Sequence, residues 1–335
     1  MRSSGLLLRV PPALRTAARR VLLAGLVAAL VVPAPVAGAR HADSGAAGVG
    51  IPRTGNPAAA PLPQPPGTTT LVSKTRAGDP GDGPSLQPAI SDNGRFVAFA
   101  SAATDLVGGD TNGAVEVFLR DRKLGTTIRL PLVSGMVPTG GQASEAAIAA
   151  DGSVVAFTVQ TSGFATTGTV STYVMAWTRK TGKTVVVSRN LKGTVMGGSS
   201  EPSVSGDGRY VAYTSMGDAT GENDESDDVF RYDLLKRTTQ IVSVGPEGGP
   251  ISGSADSPSI SADGNLVVFV SDGLDTVVHA NTGKGRQVYL RDMAAGVNEA
   301  VSLAAGGDPA SDESTEPAIS GDGQFVAFTS RAVNL

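Results

Sequence analysis

Residues 200–215, Ser-Glu-Pro-Ser-Val-Ser-Gly-Asp-Gly-Arg-Tyr-Val-Ala-Tyr-Thr-Ser, decide the fold of this chain. They indicate a short strand, a tight turn at Asp207–Gly208, and a second strand whose Tyr210–Tyr213 run is rich in strand-forming residues. Asp-Gly is typical of a two-residue hairpin turn, because both residues tolerate a positive φ. The stretch therefore predicts a β-hairpin.

The same hairpin pattern occurs four more times along the chain. Its other turns fall at Asn93–Gly94, Asp151–Gly152, Asp263–Gly264 and Asp322–Gly323. The first copy replaces Asp by Asn, which keeps the turn chemistry. A period of about 57 residues that recurs this often indicates a repeat architecture.

Two further strand types follow each hairpin. Copies of the first are Val117–Asp121, Val174–Thr178, Val229–Asp233 and Val288–Asp292, and copies of the second are Thr126–Leu130, Thr184–Ser188, Thr238–Ser243 and Glu299–Ser302. Each repeat is thus predicted to hold four antiparallel strands, named A, B, C and D in chain order. Four-stranded units that must stack to cover their apolar faces predict an all-β fold, a β-propeller over residues 67–335 with about five visible blades.

The two ends of the propeller region do not match. Thr68–Ser73 resembles a D strand, whereas Pro317–Ser330 supplies only A and B strands. Ser330–Leu335 repeats the pattern of Ser101–Leu106, and there the sequence stops. We expect a last blade that is incomplete because the sequence is cut short within it. The alternative is a five-bladed ring with one defective blade, to which Thr68–Ser73 would contribute the D strand.

The first 39 residues have the features of an export signal: a basic beginning, an apolar run at Val21–Val32 and a small-residue cleavage site at Ala37–Ala39. Arg19–Arg20 is compatible with twin-arginine export, and an ordinary secretory signal is the other possibility. Residues 40–66 are rich in Ala, Pro and Gly and predict a disordered linker. We therefore expect an exported protein, extracellular or associated with the cell envelope, with no stable membrane insertion after cleavage.

Composition excludes several kinds of chemistry. The chain has no cysteine, which rules out disulfides and thiolate chemistry, and its net charge of −4 argues against a nucleic-acid partner. The histidines are His41, in the linker, and His279, in a long loop, and no Gly-x-Ser-x-Gly motif occurs. No catalytic residue is predicted. The turn aspartates have a sufficient explanation as turn formers.

The repeat motif resembles a known family. Pro-x-Ile/Val-Ser-x-Asp-Gly-x-Phe/Tyr-Val-Ala-Phe followed by Val-Phe-x-x-Asp is similar to the WD40-like propeller repeat of TolB-type proteins, over Thr68 to Leu335. The resemblance implies a propeller, and it implies functions such as those of periplasmic scaffolds that bind a partner protein or propellers that gate serine peptidases. It does not specify a function for this chain.

Two loops between B and C strands are rich in oxygen ligands of the kind that calcium takes. The candidate ligands are Asp105, Asp110 and Asn112 in the first repeat, and Asp218, Glu222, Asp224, Asp227 and Asp228 in the third. Their spacing is not that of an EF-hand, and such acidic runs are commonly just solvated. No other cofactor is expected.

The sequence favours a non-enzymatic, monomeric scaffold that binds a protein or glycan at the propeller rim. One alternative is a carbohydrate-active enzyme, which needs two carboxyl groups facing each other at glycosidase spacing. The sequence offers no obvious carboxylate in an apolar setting for that role. The other alternative is the propeller portion of a larger multidomain protein.

Overall fold

The computed structural model describes residues 69–131, 142–161, 170–216, 226–277 and 285–335, and the backbone of residues 4–9. The described residues form nineteen β-strands. Their bounds are β1 Ser4–Arg9, β2 Ser85–Ile90, β3 Phe96–Ser101, β4 Glu116–Asp121, β5 Thr126–Arg129, β6 Ala143–Ile148, β7 Val154–Thr161, β8 Ser171–Thr178, β9 Lys183–Val186, β10 Ser199–Val204, β11 Tyr210–Ser215, β12 Asp228–Asp233, β13 Thr238–Ile241, β14 Ala255–Ile260, β15 Leu266–Ser271, β16 Gln287–Asp292, β17 Val297–Ala300, β18 Ser314–Ile319 and β19 Phe325–Ser330.

The strands form five antiparallel sheets that follow the repeats. Four sheets have the order A-B-C-D, namely β2 to β5, β6 to β9, β10 to β13 and β14 to β17. The fifth has three strands in the order β1-β19-β18, so its A and B strands are joined by the chain's N-terminal strand. Each sheet is one blade, and the predicted all-β propeller is confirmed.

Apolar side chains from neighbouring blades fill the space between them. Between the third and fourth blades, Ala212, Val229 and Val242 pack against Phe269 and Tyr289, and all five side chains are buried. Equivalent clusters lie between the other successive blades. Each blade therefore buries its faces only by stacking, as repeat units do.

The A–B turns also join successive blades through backbone hydrogen bonds. Asp92 N–H donates to Ala150 O at 2.9 Å, and Asp207 N–H donates to Ala262 O at 2.9 Å. Ala262 N–H donates in turn to Gly321 O. Among the described residues, such backbone bonds link only neighbours in chain order, from the first blade to the fifth.

The turn itself differs from the one predicted. Gly208 N–H donates to Ser205 O and Ser205 N–H donates to Tyr210 O, so the loop covers residues 206–209 rather than two residues. Only the glycine of the Asp-Gly pair has a positive φ, 71° at Gly208. Asp207 accepts hydrogen bonds from Ser205 Oγ at 2.6 Å and Arg209 N–H at 2.9 Å. The aspartate thus acts as a side-chain cap of the turn, which confirms its structural role and corrects the turn type.

The turn glycine also lies in close contact with an aromatic ring of the preceding blade. A Cβ atom at Gly152 would stand 2.4 Å from Cδ2 of Phe96 in the preceding blade, and one at Gly264 would stand 2.2 Å from Cδ2 of Tyr210. Glycine is therefore needed for close approach as well as for φ. In the first blade a Cβ at Gly94 would meet only Arg122 Nη1, at 3.5 Å, and Ile90.

The antiparallel order places the connections on two faces. The A–B and C–D turns, such as 205–209 and 234–237, lie on one face, named here the short-turn face. The B–C and D–A connections lie at the opposite ends of the strands, on the long-loop face.

Among the described segments, no helix has the length and apolar character to cross a membrane.

The expected closing D strand is not formed by residues 69–73, the described part of Thr68–Ser73. Directly after that segment, Lys74 forms an isolated β-bridge with Pro80. The same bridge follows the D strands elsewhere, as at Arg189 with Val195. Within the described ranges no C strand pairs with this segment, and Ser4–Arg9 occupies the third position of the last blade.

Gly152→Ala is predicted to destabilise the fold more than Gly94→Ala. Both glycines have φ near 70° (70° and 67°), so both variants lose on the order of 1 kcal/mol to backbone strain. Only Gly152→Ala also drives a methyl group into Phe96, which adds roughly 1–3 kcal/mol. Urea unfolding of the two variants measures the difference, and equal midpoints would contradict the contact.

Candidate binding faces and carboxylates

The candidate ligands that the structure describes all lie at the long-loop face. Asp105, Asp110 and Asn112 belong to the connection from β3 to β4, and Asp227 and Asp228 stand at the start of β12. The remaining candidates, Asp218, Glu222 and Asp224, lie outside the described residues, as do His41 and His279.

Asp105 has a structural role that recurs in other blades. Its Oδ1 accepts a hydrogen bond from Asp82 N–H at 3.0 Å. Asp275 accepts from Ser252 N–H at 2.9 Å, and Asn334 accepts from Ser311 N–H at 2.8 Å. The residue ties the loop after the B strand to the segment before the A strand. This explains why Ser330–Leu335 repeats the pattern of Ser101–Leu106.

Asp110 and Asn112 come together with two residues that the sequence did not single out, Glu116 and Arg129. Asn112 Nδ2 donates to Glu116 Oε1 at 3.3 Å, and Arg129 Nη1 donates to Glu116 Oε2 at 3.1 Å. Asp110 Oδ1 is buried without a hydrogen bond, 3.6 Å from Arg129 Nη1. Burial raises the pKa of the Glu116 carboxyl, against the opposing effect of Asn112 and Arg129. The Arg129 guanidinium thus provides the positive charge of this cluster. Asp105 does not belong to it, because its carboxylate accepts the Asp82 N–H.

In the third repeat, the two described candidates have different surroundings. Asp228 is buried, and its Oδ1 accepts a hydrogen bond from Ser243 Oγ at 2.5 Å. Burial raises the pKa of Asp227, and the nearby Asp256 adds to that rise while Arg286 opposes it. Asp256 itself forms an ion pair with Arg286.

Within the described ranges, no three His, Asp or Glu side chains are grouped so that they could hold a metal ion. The calcium hypothesis for the third-repeat loop therefore stays a prediction that depends on residues 218–224. Calorimetric titration of Ca²⁺ into the protein and into Asp224→Ala would measure it.

The inner edge of the propeller carries a line of polar residues, three of them glutamates, that the sequence did not reveal. The A strands of successive blades lie side by side, and each has a bulge with a residue of positive φ. These residues are Gln87, Glu145, Glu201, Ser257 and Glu316, with φ between 50° and 55°.

The bulge residues bind one another from blade to blade. Gln87 Oε1 accepts from Glu145 N–H at 2.9 Å, Glu145 Oε2 accepts from Glu201 N–H at 3.0 Å, and Glu201 Oε2 accepts from Ser257 N–H at 2.8 Å. A threonine of the neighbouring B strand also donates to each carboxylate, as Thr214 does to Glu201 at 2.9 Å. These carboxylates act as acceptors that fix one blade on the next.

A sequence signal for this line exists in four of the five copies. The bulge residue directly precedes the proline of the A strand in Gln87–Pro88, Glu201–Pro202, Ser257–Pro258 and Glu316–Pro317. The proline was recognised as part of the motif, but the residue before it was not. Its partner lies in another blade, so the chain alone gives no sign of the contact.

One further carboxylate corrects the expectation that none stands in an apolar setting. Glu299 lies on β17, partly buried, and burial alone raises the pKa of its carboxyl. It is on a D strand, whereas Glu145 and Glu201 are on A strands, at the other edge of their blades. A pair of facing carboxyl groups is therefore not formed by these residues.

Glu201→Ala is predicted to lower the stability of the protein more than Glu316→Ala. The first change leaves Ser257 N–H and the Thr214 hydroxyl without their acceptor, which costs about 1–3 kcal/mol. The second removes only a bond from Thr329 Oγ1 at 3.1 Å, at an exposed position of the last blade. Both residues have the same backbone φ, 55° and 53°, so backbone effects cancel. Equal losses in chemical denaturation would show that the blade-to-blade bond does not matter.

Glu299→Gln is predicted to stabilise the protein at pH 7. Because the pKa of Glu299 is raised on folding, the folded state binds the extra proton, and stability falls as pH rises above the ordinary value of about 4.5. Gln removes that loss. The melting temperatures of variant and wild type should coincide near pH 4 and diverge by pH 7, with the variant higher. A constant difference across this range would contradict the assignment.

Comparison with known proteins yields a likeness of fold. No protein-family model matches the chain, and no curated protein matches it. The match to TolB from Acinetobacter baumannii has 17% identity and a TM-score of 0.41, and covers 74% of this chain and 54% of that chain. A TolB from Agrobacterium tumefaciens matches at 19% identity and a TM-score of 0.41, covering 73% of each chain. An acylaminoacyl peptidase from Pyrococcus horikoshii matches at 13% identity and a TM-score of 0.40, covering 70% of this chain and 33% of that chain. TolB structures are thus among the neighbours, as the repeat motif predicted, while the propeller assignment itself rests on the sheet topology.

Proposed function

We propose that this protein is a non-enzymatic scaffold that binds a protein partner through the long-loop face of its propeller. The observation that supports this most directly is that the repeated residues and the long connections have different roles. The polar residues at the repeated positions of the motif, such as Asp207, Asp233 and Glu201, are engaged in turns and blade contacts. What differs from blade to blade is the set of long connections, and variable loops on a rigid frame are the usual place for binding.

The charge of the long-loop face favours a basic partner. At the tips of the D–A connections, Asp79, Glu247 and Asp308 are exposed. Across the described connections of this face, acidic side chains outnumber basic ones. Complementary charge across an interface accelerates encounter and selects the partner. A protein surface rich in Lys and Arg has the required chemistry.

Export is part of the proposal. The basic start, apolar run and cleavage site of residues 1–39 support delivery to the cell envelope or beyond it. The linker at 40–66 would then hold the propeller away from an attachment point. A role as the propeller portion of a larger protein is compatible with the same binding face.

The carbohydrate-active alternative has less support. It requires two free carboxyl groups facing each other, and the Glu145 and Glu201 carboxylates each accept two hydrogen bonds from neighbouring strands. We therefore expect no turnover of glycoside, ester or peptide substrates.

The test compares two variants with the same change in net charge. Glu247→Gln with Asp308→Asn removes two negative charges from the long-loop face, and Asp92→Lys replaces one negative by one positive charge on the short-turn face, so each variant raises the net charge by two. Proteins captured from an envelope extract by cross-linking should be reduced several-fold with the first variant and retained with the second. Raising the salt concentration should weaken capture by the wild type. Equal capture by all three proteins, or no specific capture, would refute the proposed face.

A further inference from the structure

The short-turn face carries a concentration of positive charge on its first three blades. Each C–D turn there has two adjacent, exposed basic side chains, which are Arg122 and Lys123, Arg179 and Lys180, and Lys236 and Arg237. The same turn of the fourth blade, 293–296, has the sequence Met-Ala-Ala-Gly and carries no charge. The charge therefore lies on one side of this face.

Few carboxylates oppose this charge. Asp121 and Asp233, at the start of two of the turns, are already paired with Arg95 and Arg209, each at 2.7 Å. Within the described ranges, none of the six basic side chains forms an ion pair. The exposed carboxylates in the short turns of these three blades are Asp92, Asp151 and Asp207. Positive charge is therefore in excess here, opposite to the acidic long-loop face.

Two of the three turns also present a leucine to solvent. Leu124 is 66% exposed in the first blade, and Leu235 is 77% exposed in the third. Each leucine directly adjoins a lysine, Lys123 or Lys236. Apolar area of this kind gains free energy when it leaves water. The two tips thus combine a positive charge with an aliphatic side chain.

The three tips stand at one level of the face. The A–B turns of these blades are joined by backbone hydrogen bonds, from Asp92 N–H to Ala150 O and from Ala150 N–H to Gly206 O. In each blade the last residue of the C strand lies opposite the first residue of the B strand, and the C–D turn is closed by a bond to that last residue's carbonyl. A flat partner can therefore contact all three tips at once.

This combination favours a lipid surface. Lysine and arginine side chains near a bilayer are attracted by anionic headgroups, and each adds to the binding free energy. Aliphatic side chains beside them are buried at the boundary between headgroups and acyl chains. Single-stranded nucleic acid is bound by aromatic side chains on which its bases stack, and these three tips contain none.

We propose that the C–D turns of the first three blades, residues 122–124, 179–181 and 234–236, bind the surface of a membrane that contains anionic phospholipid. The basic side chains contact headgroup phosphates, and Leu124 and Leu235 enter the interfacial layer without any segment crossing the bilayer. The long-loop face then points away from the membrane and stays accessible. The inference therefore does not depend on the proposed protein partner.

The first experiment reports which face meets the lipid, because residues 1–39 of the full chain are also basic and apolar. The chain has no cysteine, so one environment-sensitive NBD dye can be attached at Leu124→Cys or, as a control, at Leu191→Cys. Leu191 is also exposed but belongs to a D–A connection of the long-loop face. With vesicles of equal parts phosphatidylcholine and phosphatidylglycerol, the emission of the dye at 124 should shift to the blue, and a spin-labelled lipid should quench it. The dye at 191 should not respond.

The second experiment compares two full-chain variants with the same loss of charge. Lys123→Gln with Lys236→Gln removes two charges from the tips, and Arg76→Gln with Lys192→Gln removes two exposed charges from D–A connections. The first pair should lower the partition coefficient on the same vesicles about tenfold or more, and the second pair should leave it nearly unchanged. Raising the salt concentration should remove the difference.

These outcomes decide the proposal. A response of the dye at 124 alone, together with a loss of binding for the tip lysines alone, supports it. An unchanged dye at 124, an equal response of both dyes, or equal partitioning of the two charge variants overturns it. A dye at 124 that responds to lipid-free envelope extract but not to vesicles identifies an acidic protein as the occupant, which also overturns the lipid assignment. Capture by the long-loop face is measured separately, so either proposal can fail alone.

Discussion

The contact between successive blades is the constraint on which this protein depends. It has three parts: apolar side chains such as Phe269 and Tyr289 fill the gap, a turn glycine lies on a ring of the preceding blade, and a carboxylate of one A strand accepts the N–H of the next. No blade can supply these parts alone. Since the chain has no disulfide to hold it, stacking provides the order that a single core provides in other domains.

The repeat made most of the fold predictable. Strand formers, the Ser-x-Asp-Gly turn and the Val-Phe-x-x-Asp strand are local signals, and their recurrence fixed four strands to a blade. Asp233 illustrates why this works, because its Oδ1 caps its own C–D turn by accepting the Leu235 N–H at 2.9 Å, a contact between residues two positions apart. Such residues can be assigned from the sequence around them.

What the sequence did not reveal depends on residues far apart in the chain. Glu201 is separated from its partner Ser257 by 56 positions, so the proline that follows Glu201 marks the bulge position but gives no sign of the contact. Arg129 stands where later blades have an apolar D-strand residue, Val186 or Ile241, and it forms an ion pair with Asp110 that the sequence did not indicate. The pairing of Ser4–Arg9 was missed because an export signal explained those residues fully, whereas an open strand edge accepts any segment that can extend.

The repeated polar residues and the long connections have different roles in this molecule. The repeated polar groups form turn caps and contacts between blades, so their substitution lowers the stability of the stacked blades. The long connections contribute neither an A–B turn nor a bulge residue to these contacts. The charge and length of these connections can therefore change while the blades remain as they are. This separation allows a repeat protein to acquire different partners on one frame, and it is the reason that we propose recognition at the long-loop face rather than in the shared motif.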